Sequence, residues 1–306
     1  MDTGGHRGSP AKLETCDHSA KKQRLDGPVK QETVAAGAIV PAEHGPRMEV
    51  AMKMDVTVLH CPICLRPFKP PVMQCKRGHL ACGGCCHDGA PCGSCGAAFD
   101  VPNTAMDDVV SAARVQCPHD GCETYVAYHG VQDHQSACPH APCWCTEAGC
   151  GFVGLAPALV AHLAAAHAVP VNMVPYCKAQ HIQVTVPEPS SRLLVGAGDE
   201  GGAFLLSSHS LGAATVITAV CIRAEACPWP RYTVKMWANG PRKAAPAANR
   251  KTDNMMTEFE ATSSTTPGAV SLEDLTSYLM VPPGYLVGAG PSKELSLNIR
   301  IERTTS

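Results

Sequence analysis

Near the end of the chain Leu295, Leu297, Ile299 and Ile301 alternate with Ser296, Asn298 and Arg300. A period of two sends the two sets to opposite faces, so this run predicts a strand buried on one side and wet on the other. Shorter apolar runs at 182–186, 204–207, 214–223, 232–237 and 278–281 predict further strands, and Gly and Pro clusters at 196–202, 239–246 and 282–290 separate them. Many short strands with turn signals between them favour a β-sandwich over βαβ units, here spanning 175–306.

Upstream of residue 175 the period changes. His134 and Cys138 stand four apart, so a helix over 131–138 brings both side chains to one face. Pro157 suits a first helical position, and a helix from there puts Leu159 and Leu163 on one side with His162 beside them and His167 at or just past its end. The apolar run 153–174 raises the question of a membrane span. Pro157, His162, His167, Pro170 and Asn172 interrupt it, and it reads as a soluble Ala-rich helix followed by a loop. Residues 1–55 mix Gly, Pro, Lys and Glu with few aromatics and are expected to be disordered, with Lys21, Lys22 and Arg24 a short solvated basic cluster.

At 306 residues the chain has room for about two domains, and a formal charge of -2 gives no global reason to expect a polyanionic partner. The 18 cysteines change the picture. The first 27 residues hold no apolar run that could serve as an export signal, so the thiols are expected to stay reduced and bind metal instead of pairing as disulfides.

From Cys61 to Cys95 the sequence reads C-x2-C-x10-C-x3-H-x2-C-x2-C-x6-C-x2-C. Each close pair can present two donors to one tetrahedral zinc ion, and this is the spacing of a RING finger. In the RING arrangement alternate pairs share an ion. Cys61, Cys64, Cys82 and Cys85 would hold one zinc, and Cys75, His79, Cys92 and Cys95 the other, in a module spanning 56–101.

The segment 112–172 repeats the logic at another spacing. Cys117, Cys122, His134 and Cys138 form one candidate set, and Cys143, Cys150, His162 and His167 a second, each a cysteine knuckle, eleven residues and a closing pair. Cys86 and Cys145 adjoin these ligands without being expected to replace them, and Cys16, Cys177, Cys221 and Cys227 read as ordinary thiols. Four structural zinc ions follow.

A RING followed at once by Cys-Cys-His-Cys and Cys-Cys-His-His sites and then by an all-β region resembles the Seven-in-absentia family of ubiquitin ligases, in particular its plant SINA-like branch. The resemblance rests on Cys61-Pro62-Ile63-Cys64, on the run Gln74 to Cys82 and on the spacing through His167. It implies a multi-domain α+β protein: a RING, two SIAH-type fingers and a TRAF-like substrate-binding sandwich. It further implies a RING-type ubiquitin-protein ligase with no covalent ubiquitin intermediate. The RING would grip a charged ubiquitin-conjugating enzyme, with Ile63 matching the apolar contact residue, and substrates would go to proteasomal degradation. A homodimer formed through the C-terminal domain and a cytoplasmic or nuclear location are implied as well. Gly93 replaces the proline, and Gly96 the ubiquitin-bridging arginine, that many RINGs carry. A non-catalytic adaptor is therefore the alternative. A nucleic-acid binder is disfavoured, because 61–167 carries five Lys and Arg against eight Asp and Glu, whereas phosphate binding needs a basic face.

Overall fold

A computed structural model describes residues 51, 53–86, 91–186, 190–198, 201–240, 253–275, 277–288 and 293–305. The expectations for 1–55 and for the basic cluster within it fall almost wholly outside this set. The described chain divides into two compact units, with the boundary along the sequence between Ser111 and Ala112.

The first unit is built on three short antiparallel strands, β1 (Val72–Cys75), β2 (Leu80–Cys82) and β3 (Phe99–Pro102), in the order β2-β1-β3. Gly78, at φ +84°, lets the chain turn back from β1 into β2 with Met73 opposite Ala81. Helix α1 (Thr104–Ala112) follows and is tied down by polar contacts. The Asp107 carboxylate accepts the Val72 N–H at 2.7 Å, and the Asn103 amide donates to Gln74 Oε1 at 2.7 Å. Asn103 Oδ1 also accepts the Met106 N–H at the first turn of the helix. Leu59, Phe68, Val72, Ala81, Phe99 and Val110 are the buried carbon side chains. So small a core is marginal by itself, and modules of this size depend on metal or disulfide staples.

The second unit opens with two copies of one motif. In the first, the hairpin β4 (Arg114–Gln116) and β5 (Tyr125–Ala127) leads into α2 (Val131–Ala137). In the second, β6 (Cys143–Trp144) and β7 (Val153–Gly154) lead into α3 (Ala156–Ala166), with Pro157 in its first turn and His167 as its C-cap. Both expected helices are present.

The remaining strands form a sandwich. One sheet has the order β15 (Thr262–Ser264), β12 (Ala214–Ile222), β11 (Ala203–Leu211), β10 (Ser190–Gly196) and β8 (Val171–Val174), with β16 (Leu279–Val281) also pairing β12. The other has β14 (Asn254–Glu260), β13 (Arg231–Asn239), β18 (Lys293–Thr304) and β17 (Leu286–Val287), with β9 (Gln180–Val186) also on β18. Their facing sides bury Leu194, Phe204, Leu206 and Ile217 against Val234, Met236, Leu297 and Ile299. The alternation at 295–301 is the inner face of β18.

The outer face of the first sheet is also covered. Leu159 and Leu163 of α3 pack with Cys143 and Cys145 on Leu193, Leu205 and Ile222. The Trp144 N–H donates to the Thr265 carbonyl at 2.8 Å. This double burial explains why every residue of β12 from Thr215 to Ile222 is buried and why its sequence, apolar apart from Thr215 and Thr218, shows no alternation. It also accounts for the apolar stretch at 153–174, which is half of a finger–sheet interface; among the described residues no helix is long and apolar enough to cross a membrane. The loop expected after the helix is instead partly strand: β8 pairs in parallel with β10, from Leu193 opposite Val171 to Gly196 opposite Val174, across the boundary expected between 172 and 175.

The second finger should therefore stabilise the sandwich. Leu159 is wholly buried in their shared core, so Leu159→Ala should cost about 2–5 kcal/mol. Exposed Val153 of the same finger provides the control, with an expected change within about 0.5 kcal/mol for Val153→Ala. Urea unfolding followed by near-ultraviolet circular dichroism measures both.

Candidate metal centres

The two RING knuckles are built alike. The Cys61 N–H donates to the Arg66 carbonyl and the Leu65 N–H to the Cys61 carbonyl; the Cys92 N–H donates to Ala97 and the Gly96 N–H to Cys92, all at 2.7–2.9 Å. Such a turn aims two thiols at one point and needs a left-handed residue after the second cysteine. Gly96 supplies it at φ +72° without steric cost, whereas Leu65 supplies it at φ +58° with a side chain 76% exposed.

The donors converge in four groups whose ligand atoms lie within 4.8 Å of one another: Cys61, Cys64, Cys82 and Cys85; Cys75, His79, Cys92 and Cys95; Cys117, Cys122, His134 and Cys138; and Cys145, Cys150, His162 and His167. Zinc–sulfur bonds of about 2.3 Å and zinc–nitrogen bonds of about 2.0–2.1 Å give a tetrahedron with edges of about 3.3–3.8 Å. The separations match. In the second group Cys75 Sγ lies 3.4 Å from His79 Nδ1 and 3.6 Å from Cys95 Sγ. In the third, Cys122 Sγ is 3.5 Å from His134 Nε2 and the Cys117 and Cys138 sulfurs are 3.9 Å apart. In the fourth, His162 Nε2 is 3.2 Å from both Cys150 Sγ and His167 Nε2, and Cys145 Sγ is 3.5 Å from His167 Nε2. Each group can hold one tetrahedral ion, and all-Cys/His donor sets are those of structural zinc.

The surroundings favour the thiolate form that zinc needs at some donors and oppose it at others, burial raising Cys82 to about 11 and Cys138 to about 12. Burial pushes the Cys75 thiol up, but the N–H groups of Arg77 and His79 more than reverse this and hold it at about 6. The Thr124 hydroxyl and N–H hold Cys122 at about 6. Phe152 stacks on His162 at 4.0 Å and fixes the ring of that donor.

The fourth group corrects the sequence reading. Cys143, the expected ligand, is absent from it, and Cys145 stands in its place. Cys143 is wholly enclosed in the finger–sheet core, where burial raises its thiol to about 11. The signal was in the repeat. Cys117-x3-Gly121-Cys122 recurs as Cys145-x3-Gly149-Cys150, each twenty-eight positions on, as His162 is from His134. The copies share their hydrogen bonds: Cys117 N–H to Thr124 and Cys145 N–H to Phe152, Cys122 N–H to His119 and Cys150 N–H to Glu147, all at 3.0 Å. Gly121 and Gly149 both have positive φ, +80° and +76°, so the glycine is part of the knuckle. Cys86 lies outside the groups, its thiol donating to the Cys82 carbonyl.

Two interleaved sites in one strand-and-knuckle module, followed by two knuckle–helix fingers, define a zinc-braced RING with tandem fingers on a β-sandwich. Residues 61–95 match the family model described as E3 ubiquitin-protein ligase sina/sinah, RING finger. Among curated proteins, "E3 ubiquitin-protein ligase SINA-like 4" of Arabidopsis thaliana is 38% identical over 117 residues, covering 37% of this chain and 36% of the relative. "E3 ubiquitin-protein ligase sina" of Drosophila virilis is 32% identical over 125 residues, covering 39% and 40%. The chain thus spans a little over a third of the length of these relatives. Over that matched stretch it is similar to Seven-in-absentia ligases of both plant and fly.

Folded, reduced protein should contain four zinc ions by elemental analysis. Cys145→Ala should lower the count to three, while Cys143→Ala should leave it at four; the opposite pattern would restore Cys143 as the ligand.

Proposed function

We propose that this protein is a RING-type ubiquitin ligase of the Seven-in-absentia kind. The observation that carries the reading is the pair of interleaved zinc sites within the very segment, 61–95, that matches the sina RING. Each metal group uses four protein donors, so a bound ion has no open position for water or substrate and acts as a brace. The chemistry is placement. The RING holds a conjugating enzyme charged with ubiquitin, the C-terminal half holds the substrate, and high effective concentration delivers a substrate lysine to the thioester.

The apolar surface of the first knuckle supports this. Ile63 is 50% exposed and Leu65 76%, on a turn braced by Cys61 and Cys64. A bulky residue held in the left-handed region at about 1 kcal/mol of strain, and pointing into water, is poor design unless it is covered by a partner. The proposed contact is Ile63 with Leu65 beside it. Substrate degradation by the proteasome, homodimerisation and a cytoplasmic or nuclear location belong to the same proposal.

Gly96 sets the strength of the reaction. Its left-handed backbone suits glycine, and the Gly93 position likewise lacks the proline of many RINGs. A weak activator that depends on substrate proximity follows.

Discharge of ubiquitin from a charged conjugating enzyme tests the proposal. Wild type should promote it, His79→Ala should abolish it by opening one site, and Ile63→Ala should weaken the enzyme encounter by about 1–3 kcal/mol while zinc stays bound. Gly96→Arg meets no neighbouring atom and adds a cation at a backbone cost of about 1 kcal/mol, so it should raise the rate. If none of these proteins discharges ubiquitin while all four zincs remain in wild type, the chain is an adaptor.

A further inference from the structure

Where the second finger meets the first sheet of the sandwich there is a cleft of about 120 Å³. This is far below the several hundred cubic ångströms of a cofactor or drug-sized site and is about the volume of one long side chain. Its lining divides by chemistry. Leu163, Val169 and Leu205 form an apolar floor, and the hydroxyls of Ser191 and Ser207, 3.4 Å apart, stand on one wall. At the mouth lie the Glu147 carboxylate and the Trp144 indole, itself 41% exposed.

Charge decides what fits. Glu147 is the one carboxylate in the lining, neither Lys nor Arg is present, and His209 and the zinc-site thiol of Cys145 are the other ionisable groups. A long aliphatic stem would lie on the floor while its cationic head met the carboxylate, the serine oxygens and the face of the indole. An acidic side chain would be repelled by Glu147, the one carboxylate there, whatever the hydroxyls donated to it. We propose that this cleft receives a single Lys or Arg side chain of an extended partner peptide, and so selects substrates with a basic residue. This rests on the C-terminal half being the part that holds substrate.

The cleft owes its shape to a close approach. Gly268, on the turn Pro267–Ala269 that lines the cleft, sits so near the finger that a Cβ there would collide with the Thr146 hydroxyl. Gly268→Ala should therefore deform the cleft without altering any metal donor or charge.

The full zinc-loaded chain, labelled with nitrogen-15, has three tryptophans and hence three indole N–H resonances, with that of Trp144 assigned by Trp144→Phe. The probes are the peptides acetyl-Gly-Ser-X-Ser-Gly-amide, with X being Arg, Lys, Gln or Glu. The Arg and Lys peptides should shift the Trp144 resonance saturably in the millimolar range, at least fivefold more tightly than Gln or Glu. Glu147→Gln and Gly268→Ala should each weaken the Arg peptide at least fivefold with the zinc count unchanged. Equal binding of all four peptides, preference for Glu, or no saturable shift would overturn the proposal, and the ranking on unaltered protein decides this even where a variant fails to fold. Binding is read without ubiquitin, so this proposal and the ligase reading can fail separately.

Discussion

Cysteine and histidine coordination carries the first half of this molecule, because there is too little carbon there to do the work. The RING encloses a handful of buried side chains around three strands of three or four residues, and isolated strands that short are not stable in water. Four donors closing on one ion replace that missing core. Interleaving is what makes the two sites one unit: Cys61 and Cys64 precede Cys75 and His79 in the chain, yet share their ion with Cys82 and Cys85, which follow. Neither site can open without loosening the other.

The sandwich obeys the opposite economy. It has a broad two-sheet core, and its dependence on metal is indirect. Zinc fixes the knuckle at Cys145 and Cys150 to α3 through His162 and His167, and α3 then presents Leu159 and Leu163 to the outer face of the sheet. Loss of the fourth ion would free the helix before it touched the inner core. The second finger is therefore part of the sandwich unit in structural terms, and the strand β8, which directly follows it, joins the sandwich as an edge strand.

This layering also decides what could be read in advance. The strand at 295–301 announced itself because one face is dry and the other wet. The segment at 190–196 did not, because Leu194 points into the sandwich and Leu193 into the finger, so no alternation survives. Asn254–Glu260 was silent for the reverse reason: as an edge strand it buries little but Phe259. Fifteen of the sixteen expected donors join the groups, since pairs spaced for a tight turn have few other uses. The exception is Cys143: Cys143-x6-Cys150 departs from the spacing of Cys117-x4-Cys122, whereas Cys145-x4-Cys150 repeats it with the glycine at the fifth position.

A ligase of the proposed kind would be selective while chemically passive. Closed zinc sites donate no charge to a reacting atom, so any rate must come from holding two partners near each other, and the strength of each grip becomes the specificity. The grip proposed for the RING would be apolar, through Ile63 and Leu65, which a braced turn holds out in water. Leu65 and Gly96 occupy the same place in the two knuckles, one bearing a strained apolar side chain and the other none. Under the proposed reading the first knuckle would serve adhesion and the second geometry alone. If adhesion is weighted over activation at the conjugating enzyme, turnover depends on how long the substrate stays, and the discriminating contacts must be sought at the finger-covered sandwich instead of the RING.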